Sequence, residues 1–315
     1  MSVYVQSLTG PYAMTDKEIK ELLPCPPERN PRAAIFLSGS GSNAQKILEL
    51  YARDENAPFQ LEALVTDKPE DSRAYQLGEE YDIPVIANDI GEFYRRHGFS
   101  RVCLSSEKAQ QVRANWTAQL REQLAPLELD FGVLAGFMSL SNIVEDFPCL
   151  NVHPGDLTYL INGERYLVGL HTLPVERALL AGLSELRSSV IIATSYTGSG
   201  NGMDSGPILG LSQGVSVDWQ NYTLDKLKQI AEERPEKKPP GGFKDDLAYL
   251  AQWNLDRLKK HGDWIVFPNT VWDFAAGSFA VNSSGNLFYR TEKGWHAVKT
   301  VVYGEQKRDL LFNEE

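Results

Sequence analysis

The sequence lacks several features that would assign it to a specialised class of protein. Its 3 cysteines (Cys25, Cys103 and Cys149) have no paired spacing, which argues against a disulfide framework and against a zinc cluster. No apolar run approaches the roughly 20 residues that cross a bilayer, and the N-terminus does not have the basic and then apolar layout of a secretion signal. Acidic residues outnumber basic ones by 42 to 31, which disfavours broad contact with nucleic acid or an anionic membrane. We therefore expect a cytoplasmic protein.

The remaining composition is that of a globular protein. Hydrophobic residues make up 42% of the chain, enough for a sizeable core. Residues 1–31, rich in proline and charge, predict an extension that packs on the surface rather than a core unit. From residue 32 onward, short apolar runs such as 59–66 and 149–153 alternate with segments of helical spacing. This alternation predicts an α/β fold, with a mostly parallel sheet and helices on both faces.

Two further segments bear on the organisation of the chain. Residues 91–127 predict a helical region with a buried stripe formed by Val112, Trp116, Leu120 and Leu124. In the last fifty residues, short aromatic and β-branched runs predict strands of a small antiparallel C-terminal appendage; these runs are 264–267, 279–281, 287–289 and 295–302. We accordingly divide the chain into an N-terminal extension, a catalytic domain and the appendage, with limits at 1–31, 32–262 (insertion at about 226–243) and 263–315.

A glycine-rich turn follows the first core strand and opens a helix. It contains Gly39, Ser40, Gly41, Ser42 and Asn43. Glycine lets the backbone approach a ligand closely, and free amides at a helix start favour an anion. The turn fits a substrate phosphate, a structural turn, or a nucleotide cofactor, since Asp67 after the next strand stands near where a ribose-binding acid is expected.

Polar side chains also stand at the end of a strand and in a later loop. Asn151 and His153 lie two apart on a strand closed by Pro154, so their side chains project from one face at its carboxyl edge. A histidine there can move a proton and an asparagine can donate to a developing oxyanion; alternatively, both are satisfied locally by backbone. Asp204 follows a glycine-rich loop and is either a turn or capping residue or a partner of His153 that favours the imidazolium.

In this order along the chain, the motifs resemble those of the glycinamide ribonucleotide formyltransferase family. They are Ser-Gly-Ser-Gly-Ser-Asn at 38–43, Leu-Ala-Gly-Phe-Met at 134–138, Asn-Val-His-Pro at 151–154, Gly-Leu-His-Thr at 169–172 and Asp-Ser-Gly-Pro-Ile at 204–208. The resemblance covers about 32–217, with a weaker echo at 245–260. It implies a Rossmann-like fold and transfer of a formyl group from 10-formyltetrahydrofolate to an amine, without a metal.

The resemblance also implies roles for individual residues. Asn151, His153 and Asp204 would be catalytic, and residues 39–43 would hold the phosphate of the substrate. The folate would contact two segments, namely Phe137, Met138, Ser139 and Leu140, and Gly200, Asn201 and Gly202. His171 matches a family position and either lines the site or starts a helix. The acceptor amine and the oligomeric state stay open, including a homodimer.

This chain departs from the family pattern mainly around the folate site. Ser139 stands where the family usually has arginine, and Ile191 replaces a second histidine. The segments 155–168 and 197–203 are enlarged. The alternatives that we keep are a formyltetrahydrofolate hydrolase, a protein that binds NAD(P) or another nucleotide, and a non-catalytic relative whose folate pocket is filled by Tyr159 or Tyr166.

Overall fold

The computed structural model describes residues 19–24, 28–137, 139, 141–195, 204–237, 239 and 241–313. The strands in chain order are β1 (Ile19–Glu21), β2 (Arg32–Phe36), β3 (Gln60–Thr66), β4 (Val85–Ala87), β5 (Phe131–Leu134), β6 (Cys149–His153), β7 (Leu160–Ile161), β8 (Glu164–Arg165), β9 (Glu185–Leu186), β10 (Ser189–Ile192), β11 (Ile208–Ser212), β12 (Val215–Ser216), β13 (Phe279–Asn282), β14 (Leu287–Thr291), β15 (Gly294–Val298), β16 (Thr300–Tyr303) and β17 (Arg308–Leu311).

The α-helices are α1 (Ser42–Tyr51), α2 (Ala74–Tyr81), α3 (Ile90–Arg96), α4 (Glu107–Leu124), α5 (Leu173–Leu180), α6 (Leu224–Glu233), α7 (Asp246–Leu258) and α8 (Trp264–Ala275). Short 3₁₀ turns lie at Ala125–Leu127 and Asn142–Glu145. A π-helical turn, Lys259–Asp263, joins α7 to α8. None of the helices in the described ranges is both long and apolar enough to traverse a bilayer.

A 9-stranded sheet in the order β17-β16-β11-β10-β6-β5-β2-β3-β4 forms the centre of the fold. β4, β3, β2, β5 and β6 run parallel to one another, and β11 and β16 are parallel to each other. β10 and β17 run antiparallel to the strands beside them. The strand order reverses between β2 and β5, and such a reversal opens a crevice at the carboxyl ends of the strands. The predicted Rossmann-like architecture is confirmed.

Helices cover both faces of this sheet, which explains why inner strands such as β2 and β5 bury side chains on both faces. In β2, Ala33 and Ile35 pack in the cluster that contains α1, α2 and α8. Ala34 and Phe36 point the other way, into the cluster that contains α3 and α4, because successive side chains in a strand alternate between faces.

α4 illustrates how the sequence determines a local element. The side chain of Ser106 caps its start by accepting a 3.2 Å hydrogen bond from the amide of Ala109. The predicted stripe of Val112, Trp116, Leu120 and Leu124 is buried against the sheet. The predicted helical region 91–127 is interrupted, however, since α3 and α4 are separate helices.

The C-terminal part of the chain differs from the prediction in one element. A 4-stranded antiparallel sheet, β1-β13-β14-β15, is present. The prediction of a strand at residues 264–267 is wrong, because they begin α8, in which Phe267, Val271 and Phe274 recur at helical spacing on a buried face. Aromatic and β-branched residues favour strands locally, but burial on one helical face outweighs that preference here.

The ends of the described chain are integrated into the core. β1 pairs with β13, and Leu23 is buried in the main hydrophobic cluster, so this part of the extension does not merely pack on the surface. β16 and β17 join the central sheet beside β11. The limits given above for the three domains stay predictions.

Asp273 on α8 connects the two sheets. Its carboxylate accepts hydrogen bonds from Tyr289 on β14 (2.7 Å), Tyr303 on β16 (2.8 Å) and Arg308 on β17 (2.7 and 2.9 Å). Burial, followed by the negative charge of Asp273, raises the pKa of both tyrosines, so they remain hydroxyl donors at neutral pH.

We expect Asp273→Ala to lower the free energy of unfolding by about 2–4 kcal/mol, because it leaves buried donors without their acceptor. Chemical denaturation measures this change. Asp309→Ala is the matched control. Within the described residues the side chain of Asp309 has one ion pair, an exposed one with Lys307, and we expect its loss to change stability by less than about 0.5 kcal/mol. Equal effects of the two variants would contradict the role of Asp273.

Candidate active site

A cleft of about 400 Å³ lies at the carboxyl edge of the parallel strands. β5 ends there in Leu134 and β6 in His153, on the side of the sheet where the strand order reverses. The polar residues that line it include Asn43, Ser139, Ser141, Asn151, His153, His171, Asp204, Gln252, Lys259 and Asp263. Leu134, Phe137, Val144, Leu170 and Leu255 give it an apolar wall.

His153 and Asp204, distant in sequence, are close together in this cleft. Nδ1 of His153 lies 3.5 Å from Oδ1 of Asp204. The other ring nitrogen, Nε2, donates a 2.7 Å hydrogen bond to the carbonyl oxygen of Leu167, because a carbonyl can only accept. Nδ1 is therefore the nitrogen that gains or loses a proton, and it faces the carboxylate.

Burial sets the protonation of His153. The residue is 3% exposed, and the desolvation of its ring lowers its pKa below the ordinary 6.5. The charge of Asp204 and the bond to Leu167 act in the opposite direction, while the positive charge of Arg165 acts with burial. As expected, the charge of Asp204 favours the imidazolium and so acts to raise the pKa of His153. The effect of burial is larger, so the ring is neutral at neutral pH.

Asn151 stands on the same strand as His153. It is half-buried and lines the cleft, and in the sheet its register partners are Leu134 on β5 and Ile191 on β10. Its amide is thus on the side of the strand from which a donor can reach an oxygen bound in the cleft.

One of the five residues predicted to hold the substrate phosphate, Asn43, lies at the cleft. Gly41, at φ 63°, precedes α1, and no side chain in the described part of the chain caps that helix. A Cβ at Gly41 would come within 2.9 Å of Leu77 and 3.0 Å of Leu37, so only glycine fits. Of residues 39–43, Asn43 lines the cleft, and its Nδ2 donates a 3.2 Å hydrogen bond to Oδ2 of Asp263.

The predicted folate-binding residues are only partly described. Phe137 and Ser139 line the cleft, whereas Met138, Leu140, Gly200, Asn201 and Gly202 lie outside the described residues. The hydroxyl of Ser139 donates to Oδ2 of Asp67. Asp67 is wholly buried, so its carboxylate does not face a ribose. The alternative of a nucleotide-binding protein therefore lacks the acidic residue that would bind the ribose.

The departures from the family pattern rearrange packing beside the cleft. Ile191 lies in a small apolar cluster with Leu157 and Ile208. Tyr159 and Tyr166 pack against the cluster built from α5, α6 and α7 rather than filling the cleft. His171 lines the cleft with a left-handed backbone, at φ 56°, just before α5.

Two cleft residues on the π-helical turn were not predicted. Asp263 is buried and accepts a 2.5 Å hydrogen bond from the hydroxyl of Ser188, and burial raises its pKa. Lys259 lines the cleft one turn earlier. In the sequence, Gly262 is typical of a residue that ends a helix, so the segment around Asp263 gave no indication of a site. A π-turn, which is common at functional sites, continues the helix instead.

Searches for similar proteins give the same fold class. No protein-family model and no curated protein matches the sequence. The fold is that of the Rossmann-like formyltransferases, as solved structures show. The phosphoribosylglycinamide formyltransferase of Coxiella burnetii is 20% identical, with a TM-score of 0.54 over 88% of this chain and 100% of that one. The enzyme of Anaplasma phagocytophilum is 19% identical, with a TM-score of 0.51 over 84% and 95%.

The resemblance stated from the motifs is thereby confirmed for the fold. At these identities the comparison extends to the fold alone. The reaction has to be argued from the cleft, and the roles of the individual site residues stay predictions.

The contact between His153 and Asp204 predicts a measurable coupling. We expect Asp204→Asn to lower the pKa of His153 further, because the substitution removes the negative charge that stabilises the imidazolium. NMR titration of the His153 ring protons measures this pKa. Asp309→Asn, on the outer strand β17, should leave it unchanged. A His153 pKa that is the same with and without the Asp204 charge would contradict the pairing.

Proposed function

We propose that this protein transfers a formyl group from 10-formyltetrahydrofolate to the amine of a small, phosphorylated substrate. The observation that carries the proposal is that Asn151, His153 and Asp204 line one cleft, at the carboxyl edge of a sheet of the formyltransferase type. A hydrogen-bond donor, a proton acceptor and a carboxylate are the groups that acyl transfer to an amine requires.

The chemistry of the cleft supports each step of this reaction. The amine attacks the formyl carbon, a new C–N bond forms, and the carbonyl oxygen becomes negative. The amide of Asn151 is suited to donate to that oxygen. Nδ1 of His153 is unprotonated at neutral pH, because burial lowers the pKa of the ring, so it can accept the proton of the amine.

The proton then leaves His153 for N10 of the folate as the bond from N10 to the formyl carbon breaks. Asp204, 3.5 Å from Nδ1, stabilises the imidazolium between the two transfers. Asp204 thus contributes most when His153 is charged, which is during the reaction and not before it.

The lining of the cleft also fits the two ligands. The apolar wall of Leu134, Phe137, Val144, Leu170 and Leu255 suits a flat ring system such as a pteridine. At the other side, Asn43 in the first turn of α1 brings the glycine turn to the cleft, and an uncapped helix start favours a phosphate.

The test is formyl transfer from 10-formyltetrahydrofolate to glycinamide ribonucleotide, compared with other primary amines. We expect Asn151→Ala, His153→Ala and Asp204→Asn each to lower kcat by at least about a hundredfold, since each removes a group that acts in the transition state. His97→Ala, which removes an exposed histidine that directly follows α3 and does not line the cleft, is the matched control and should retain full activity.

The same assay separates the alternatives. Release of formate without any amine would favour a hydrolase. Calorimetry that detects NAD binding and no folate binding would reject the proposal. Folate binding without turnover over a full set of amines would favour a non-catalytic relative.

A further inference from the structure

The segment between His153 and α5 supplies most of the contacts that hold the candidate catalytic pair. The carbonyl oxygen of Leu167 accepts from Nε2 of His153 at 2.7 Å, and the amide of Gly169 donates to Oδ2 of Asp204 at 3.3 Å. Residues 155–168 form one of the two segments, with 197–203, that the motif comparison indicates to be longer than in the family pattern. The enlarged segment therefore belongs to the site and is not a surface decoration.

Arg165 makes the most specific of these contacts. It lies on β8, in the two-stranded hairpin formed by β7 and β8, and is half-buried. Its Nη1 donates to the carbonyl oxygen of Asp204, and its Nη2 donates to that of Gly206 at 2.9 Å. One guanidinium thus holds two carbonyl groups on either side of Ser205.

We infer that Arg165 is a positioning residue, which keeps the carboxylate of Asp204 within reach of His153 by binding the backbone of residues 204–206. A planar guanidinium offers paired donors in a fixed geometry, which an ammonium group does not. The hairpin β7–β8 acts as the support that brings this group to the site.

The surroundings of Asp204 explain why such a support is useful. Asp204 stands on a turn four positions before the start of β11, and the preceding residues 196–203 are outside the described part of the chain. Its side chain has one hydrogen bond within the described ranges, from Gly169, and this bond is long at 3.3 Å. The backbone contacts of Arg165 therefore contribute much of what orients the residue.

Arg165 also places a positive charge near His153. The charged groups that act on His153 within the described chain are Asp204 and Arg165, and they have opposite effects on its pKa. Simple loss of the Arg165 charge would raise the pKa of His153. Loss of its hydrogen bonds to the backbone of residues 204–206 would instead reduce the amount by which Asp204 raises the pKa of His153. The two roles can therefore be separated by experiment.

The test is a double-mutant cycle read by NMR titration of His153, with wild type, Asp204→Asn, Arg165→Met and the double variant. We expect Asp204→Asn to lower the pKa of His153 in the wild-type background, and to lower it by less than about half as much when Arg165 is already replaced. An equal lowering in both backgrounds would overturn the inference. If Arg165→Met does not fold well enough to titrate, Arg165→Lys replaces it, since one ammonium cannot bind both carbonyls.

Arg177→Met is the matched control. Arg177 on α5 also binds two carbonyl oxygens of the same segment, those of Tyr166 (3.0 Å) and Val168 (2.8 Å), but it does not contact residues 204–206. We expect it to lower the melting temperature and to leave the coupling between Asp204 and His153 intact. Loss of the coupling in Arg177→Met as well would mean that Arg165 acts only through general stability of the loop, and would overturn the specific role.

For catalysis, the inference rests on the proposed formyl transfer. We expect Arg165→Met to lower kcat at least about tenfold while KM for both substrates changes less than about threefold, because a misplaced Asp204 affects the reaction and not binding. Unchanged kcat with lost pKa coupling would overturn the catalytic part. If the wild type transfers no formyl group, the proposed function fails, and the NMR cycle still decides whether Arg165 positions Asp204.

Discussion

The hydrogen bond from Nε2 of His153 to the carbonyl oxygen of Leu167 determines which ring nitrogen can exchange a proton, and the rest of the cleft depends on that choice. Because Nε2 donates to Leu167, Nδ1 is the nitrogen that can bind a proton, and it faces Asp204. Burial keeps the ring neutral until a substrate proton arrives, and the carboxylate stabilises the charge that results. The same residue is thus a base before the transfer and an acid after it, and no further titrating group is required for that change.

Much of the fold could be predicted because its strands and helices carry their own signals. β6 was predicted with its observed limits, since residues 149–153 are apolar and closed by Pro154, and the stripe on α4 followed from helical spacing. The failure at residues 264–267 has a physical reason. Gly262 and Pro268 both suggest the end of a helix. In the structure, however, Gly262 lies in the π-helical turn, and α8 continues beyond Pro268 because Phe267 and Val271 pack in the core.

For the site, the side chains on strand ends were predictable and their supports were not. Asn151, His153 and Asp204 are identified by motifs, and all three line the cleft. Arg165 and Asp263 escaped prediction because their partners are backbone carbonyls, a serine and an asparagine far away in sequence. A backbone carbonyl is present at every position, so a contact to it leaves no pattern in the sequence. The cleft therefore depends on groups that only the three-dimensional arrangement reveals.

The parallel pairing of β11 with β16 bears on how the chain is made. During synthesis, one edge of β11 has no partner until residues 300–303 have left the ribosome, nearly ninety positions later by the numbering of the two strands. β1 likewise waits for β13. An exposed strand edge of this kind can pair with another nascent chain. Completion of this sheet thus waits until residues 300–303 have been synthesised, and during that interval the protein is most open to chaperones and to aggregation.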